Sequence, residues 1–205
     1  MNKFLLAMMV VAAVPVFAQD APKTEPEKPA AAQEEAWGKP EDIVGKPAPK
    51  LDLALLGGGR LNLDEFKGKK YVVLDFWASW CPWCRKSTDK FVELTKRYAA
   101  EDIAFFIVST TEPEEKVAAY KEKNKVDAVF ALDPKREAAD PYFVDYIPHI
   151  VVIDKDGKVM KVSVGEEKVA VALEETLKEL YPNVEVPKPA AVEPQADAAA
   201  TGTAP

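Results

Sequence analysis

The sequence predicts an α/β domain, a mixed central sheet flanked by helices. Two nearly continuous apolar runs, YVVLDFWA (residues 71–78) and IAFFIVST (residues 103–110), have the β-branched composition of strands covered on both faces. Each is followed by a stretch that reads as a helix, and further on two short strands meet at an Asp-Gly turn. Strands separated by helices pair in parallel and the later hairpin adds an antiparallel edge, so helices are expected on both faces of the sheet.

The core opens with LDLALLGGGRLNL, residues 51–63, where apolar residues alternate on either side of Gly57, Gly58 and Gly59. Glycine reaches positive φ without a steric penalty, so the triplet reads as an N-terminal β-hairpin turn. A phosphate-cradling loop would need Gly-Lys-Ser/Thr at a strand-to-helix junction, which does not follow here. After the first buried run, Phe91, Leu94 and Tyr98 recur at helical spacing and predict a helix over residues 82–99. The stretch PEEKVAAYKEKN, residues 113–124, starts acidic and ends basic, as the helix dipole favours. A short strand near residues 128–131 and a short helix near residues 135–139 lead to strands at residues 150–153 and 159–164, joined through Lys155, Asp156 and Gly157. In the last helix, residues 166–180, Val169, Leu173, Leu177 and Leu180 share one face.

The chain begins MNKFLLAMMVVAAVPVFA, with a positive residue, a short apolar stretch and small residues before Gln19. That layout predicts a secretory signal peptide over residues 1–18, cleaved near Ala18, and the apolar run falls short of the roughly 20 residues of a membrane span. The mature protein is expected to be periplasmic or otherwise exported, without stable membrane insertion, where disulfides persist. Losing Lys3 with the leader leaves 26 basic against 34 acidic side chains, a formal charge of −8. No basic cluster stands out, which argues against nucleic acid as a partner. Residues 19–39 and 182–205 are Ala- and Pro-rich and poor in large apolar side chains, so a disordered linker and tail are expected around one domain at residues 40–181.

FWASWCPWCRK, residues 76–86, holds both cysteines of the chain, at the junction of a buried strand and a helix. Pro82 suits the first helical position, where its missing N–H costs nothing. Unpaired backbone donors and the helix dipole favour a thiolate at Cys81, the expected attacking sulfur, and Cys84 lies one turn on, placed to resolve a mixed disulfide. A purely structural disulfide closing so small a ring would restrict the unfolded chain little. Zinc wants four ligands and the chain offers two sulfurs, one histidine and scattered carboxylates, so no metal site is expected. Copper(I) handling by Cys81, Cys84 and His149 is the non-enzymatic alternative.

Taken together, VGKPAPKLDLALLGGGRLNLDEFKGKKYVVLDFWASWCPWCRK, residues 44–86, and YIPHIVVIDKDGKV, residues 146–159, resemble the thioredoxin-fold TlpA/ResA group of exported bacterial thiol-disulfide oxidoreductases. The resemblance spans the core, and the stretch from residue 103 to about residue 140 fits the group's central strand-helix insertion. It implies a redox-active Cys81–Cys84 disulfide, no bound cofactor, and a cis Pro148 facing the cysteines, with the Ile147 backbone pairing with a substrate strand. Trp80, Pro82, Trp83, Ile147, Pro148 and His149 would then form the substrate surface. Asp75 matches the buried acid beneath the cysteines of thioredoxins; enclosed by Val73, Leu74, Phe76 and Trp77, its pKa should rise and it could exchange a proton with Cys84. His149 replaces the small or hydroxyl residue expected after the proline, and a charged imidazole there would favour the thiolate and make the couple more oxidising.

The sequence therefore reads as a thiol-disulfide oxidoreductase that exchanges disulfides with exported proteins, more as a reductase recharged by a membrane electron donor than as a disulfide-donating oxidase. A peroxiredoxin-like peroxidase is disfavoured, since the expected Pro and Thr ahead of its cysteine are missing.

Overall fold

The computed structural model describes residues 38–165 and 168–185. The expected leader and most of the linker and tail lie outside the described residues. Seven strands form one mixed sheet: β1 (Asp52–Leu55), β2 (Arg60–Asn62), β3 (Tyr71–Trp77), β4 (Ile103–Thr110), β5 (Phe130–Asp133), β6 (His149–Ile153) and β7 (Val159–Val164). Helices α1 (Pro82–Arg97), α2 (Glu114–Asn124) and α3 (Lys168–Leu180) complete it, with short 3-10 turns at Pro40–Ile43 and Leu63–Glu65. Across the sheet the order is β2-β1-β5-β4-β3-β6-β7. The β3, β4 and β5 strands run parallel, while β6 and β7 on one side and the opening hairpin on the other are antiparallel.

The helices do not divide between the two faces as the sequence led us to expect. Val73 and Trp77 of β3, Phe105 and Ile107 of β4, and Phe130 and Leu132 of β5 point into one cluster, and buried side chains of α1 (Phe91, Leu94), α2 (Val117) and α3 (Val169, Leu173, Leu177) join it. The alternate residues Val72, Leu74, Phe76, Phe106, Val108 and Ala131 face the other way, against Ile43, Leu51, Ala138, Tyr142 and Val144. The cause is topological. Successive crossovers from β3 to β4 to β5 step in one direction, and two right-handed crossovers in the same direction leave their helices on the same side.

The second face is covered by coil in place of helix. Residues 135–139 form turns because Asp133, itself buried, accepts hydrogen bonds from the backbone N–H groups of Ala138 and Ala139, while Arg136 adopts a left-handed φ of 62°. Tyr142 secures this segment, packing against Phe76 and donating its hydroxyl to the Pro49 carbonyl at 2.9 Å. At the strand ends remote from the cysteines, Asp102 accepts hydrogen bonds from Lys155 and Tyr181 and ties β4 to the end of α3. No described helix is long and apolar enough to cross a membrane.

Candidate active site

The site is built where β3 ends. Its last residues are buried, the chain turns through Ala78, Ser79 and Trp80, and Cys81 becomes the N-cap of α1 with Pro82 first in the helix. Cys81 and Cys84 form a disulfide, their Cα atoms 5.3 Å apart. The Cys84 N–H points at Cys81 Sγ, 3.2 Å away, one of the orphan donors that a helix start presents. Cys81 is 3% exposed and Cys84 fully buried, so Cys81 is the more accessible of the two. Ser87 and Thr88 donate their hydroxyls to the Cys84 carbonyl at 2.9 and 2.8 Å and hold the first turn of the helix.

Opposite the disulfide, the Ile147–Pro148 peptide is cis, and the Ile147 carbonyl oxygen lies 3.7 Å from Cys81 Sγ. Trp80 and Tyr146 are the exposed aromatics of these two loops, at 62% and 75%. Trp83 is half-buried, with the Lys86 ammonium 4.2 Å from its ring centroid. Cys81, Cys84, Trp80, Pro82, Trp83, Ile147 and Pro148 thus belong to the two segments that meet at the disulfide.

Asp75 lies behind them. The two-residue repeat of β3 puts it on the face of Val73 and Trp77, the face that carries the cysteines. It is fully buried, neither carboxyl oxygen has a hydrogen-bond partner among the described residues, and desolvation pushes its pKa from 3.8 up to about 8.

His149 departs from its expected place. It is the first residue of β6 and shares parity with Val151 and Ile153, so it faces away from the cysteines into the second cluster. There its ring meets the Phe76 ring edge-on at 5.8 Å, it has no solvent exposure, and neither ring nitrogen is hydrogen-bonded within the described residues. Burial lowers its pKa to about 4, leaving a neutral imidazole at physiological pH. Two expectations are thereby corrected: His149 is neither part of the substrate surface nor a charged neighbour of the thiolate. The copper(I) alternative loses its nitrogen ligand to the far side of the sheet, and the described residues hold no cluster of three His, Cys, Asp or Glu able to bind a metal.

Comparison with known proteins places this geometry. The Redoxin family matches residues 43–180. The chain belongs to the Redoxin family. The thiol-disulfide oxidoreductase ResA of Bacillus thuringiensis subsp. konkukian is 32% identical to this chain over 139 residues, covering 68% of this chain and 79% of that relative. ResA of Bacillus subtilis is 30% identical, covering 62% of this chain and 71% of its own length. Among solved structures, the thioredoxin domain of a thiol-disulfide oxidoreductase from Bacteroides vulgatus is 29% identical with a TM-score of 0.56, covering 65% of this chain and 96% of that domain. This Redoxin protein thus has the thioredoxin-like fold that the resemblance implied.

One residue near the site escaped the sequence reading. Glu112, between β4 and α2, is 4% exposed and accepts hydrogen bonds from both the N–H and the hydroxyl of Ser79, each at 2.6 Å. In the run TEPEEK nothing sets it apart from Glu114 and Glu115 except that it precedes the proline at which the helix starts.

Proposed function

We propose that this protein is an exported thiol-disulfide oxidoreductase that works in the reducing direction, with Cys81 as nucleophile, Cys84 as resolving thiol and Asp75 as proton carrier. The observation that carries the reading is the disulfide at the start of α1, with Cys81 Sγ against the Ile147 carbonyl of the cis-proline loop. In the reduced protein the Cys81 thiolate attacks a substrate disulfide, forms a mixed disulfide and releases one substrate thiolate. Cys84 then gives its proton to Asp75, which the recharging step has left as the carboxylate, and attacks Cys81 Sγ, releasing the second substrate thiolate. Two electrons pass to the substrate and the Cys81–Cys84 bond re-forms. Recharging runs in reverse: a donor thiolate attacks Cys81, and Cys84 departs taking the proton that Asp75 holds.

Two features support the reducing direction. A couple is strongly oxidising when its reduced, thiolate form is stabilised. Here a buried carboxyl lies behind the pair, and an ionised Asp75 would repel a thiolate. The neutral imidazole of His149 on the other face supplies no compensating charge. The substrates are protein thiols or disulfides; that they are exported proteins, and that a membrane donor recharges the pair, rests on the leader-like residues 1–18 and the resemblance to the TlpA/ResA group.

The test is the equilibrium reduction potential of the pair against glutathione, followed by Trp fluorescence. The expected value lies near or below the roughly −270 mV of thioredoxin; a value near the roughly −120 mV of a strong oxidant would make the protein a disulfide donor instead.

A further inference from the structure

The turn that presents Cys81 is gripped from outside its own element. Ser79, two residues before Cys81, gives its N–H and its hydroxyl to the two oxygens of Glu112, at 2.6 Å each. Its carbonyl accepts from an Arg85 guanidinium nitrogen at 3.1 Å. All the hydrogen-bonding groups of Ser79 are therefore engaged, by a residue from beyond β4 on one side and by α1 on the other. A carboxyl group matches this pair of donors, since each of its oxygens accepts independently.

The backbone is bent to deliver this contact. Thr111, between the end of β4 and Glu112, adopts a left-handed φ of 64°. For a β-branched residue that conformation is a true outlier, and it persists only where the surroundings hold it. The Thr111 N–H donates to the Asp133 carbonyl at 3.1 Å, which pins the bend from the β5 side. The chain leaves the bend with Glu112 buried against Ser79 and enters α2 through Pro113.

We propose that Glu112 is a positioning residue for thiol-disulfide exchange: by holding Ser79 it fixes the turn that aims Cys81 Sγ and the exposed Trp80 at an incoming disulfide. The inference rests on the exchange reading given above. The clamp matters most in the reduced protein, where the covalent Cys81–Cys84 tie is gone and the turn depends on its hydrogen bonds. Small errors in the placement of a reacting atom are costly in rate.

The experiment is a pH-rate profile of the reduced full-length protein with 5,5′-dithiobis(2-nitrobenzoate), comparing wild type with Glu112→Ala, Glu112→Gln and Ser79→Ala. The midpoint reports the thiolate pKa, and the plateau at high pH reports attack by a fully formed thiolate, free of any change in ionisation. The expected result is a plateau about tenfold lower for Glu112→Ala, with Glu112→Gln, which keeps one acceptor, recovering to within about threefold of wild type. A plateau unchanged in Glu112→Ala, even with a lower unfolding temperature, would show a purely structural role and overturn the proposal. Should Glu112→Ala fail to fold, Ser79→Ala decides: an approximately twofold to threefold fall supports the clamp and an unchanged plateau overturns it. A wild-type protein that releases no thionitrobenzoate would instead overturn the exchange reading itself.

Discussion

A Cys81→Ser variant is expected to show no exchange above the rate without protein, whereas Cys84→Ser keeps the first step and stalls at the second. The asymmetry follows from the geometry. Cys81 is the N-cap, with the Cys84 N–H directed at its sulfur and the cis-proline loop beside it, while Cys84 is inside the first helical turn with no exposed surface. Incubating reduced Cys84→Ser with a disulfide-containing protein should therefore accumulate a covalent complex that a reducing agent dissolves, visible by non-reducing electrophoresis and by mass. Cys81→Ser should give no such complex. A complex formed through Cys84 in the Cys81→Ser variant would reverse the assignment of the two sulfurs.

Asp75→Asn is expected to slow the second step by roughly 100-fold, the scale of a lost general acid-base catalyst. Mixed disulfides would then persist even with Cys84 present. The same substitution should stabilise the oxidised protein in a pH-dependent way. The unfolded chain releases the Asp75 proton near pH 3.8 and the folded protein holds it to about pH 8, so the native acid destabilises the fold increasingly as pH rises through that window. At about 1.4 kcal/mol per pH unit, the gain on removing it is near zero at pH 4 and reaches at most roughly 4 kcal/mol at pH 7.

His149 works in the opposite sense. Its folded pKa of about 4 lies below the ordinary 6.5, so its contribution is complete above pH 6.5 and is lost as pH falls toward 4. Between those values the two buried groups offset one another in the wild type. Asp75→Asn removes one of them, and its own stability should fall on acidification from pH 6.5 to 4. Denaturant titrations of the oxidised proteins at pH 4, 6 and 8 check both points. A gain that is the same at all three would mean that Asp75 does not hold its proton in the folded state.

Much of this was legible along the chain. The apolar run of β3 broken by a single Asp, the cysteine at a strand-to-helix junction and the proline after it each carry a local signature that points to a redox cysteine pair, while the acid beneath the pair and the cis proline opposite it were implied by the resemblance to the thioredoxin-fold TlpA/ResA group. His149 was misplaced by one residue of strand. A reading that starts β6 at Ile150 leaves His149 in a loop near the sulfurs, but pairing with Phe76 makes it the first residue of the strand and fixes its side chain on the other face. The distribution of helices depends on strand order, which no local pattern encodes. Residues 135–139 read as a short helix, and only the long-range fit of Asp133 shows that the backbone N–H groups of Ala138 and Ala139 are capped otherwise. Glu112 was hidden for a similar reason, since its partner lies 33 residues away.

The decisive measurement is the alkylation of the reduced protein by iodoacetamide as a function of pH, with each cysteine followed by peptide mass spectrometry. The predicted result is modification of Cys81 alone at early times, with a midpoint below the roughly 8.5 of an ordinary thiol. Equal labelling of Cys84, or a Cys81 midpoint above that value, would contradict a mechanism in which the N-cap sulfur opens the reaction.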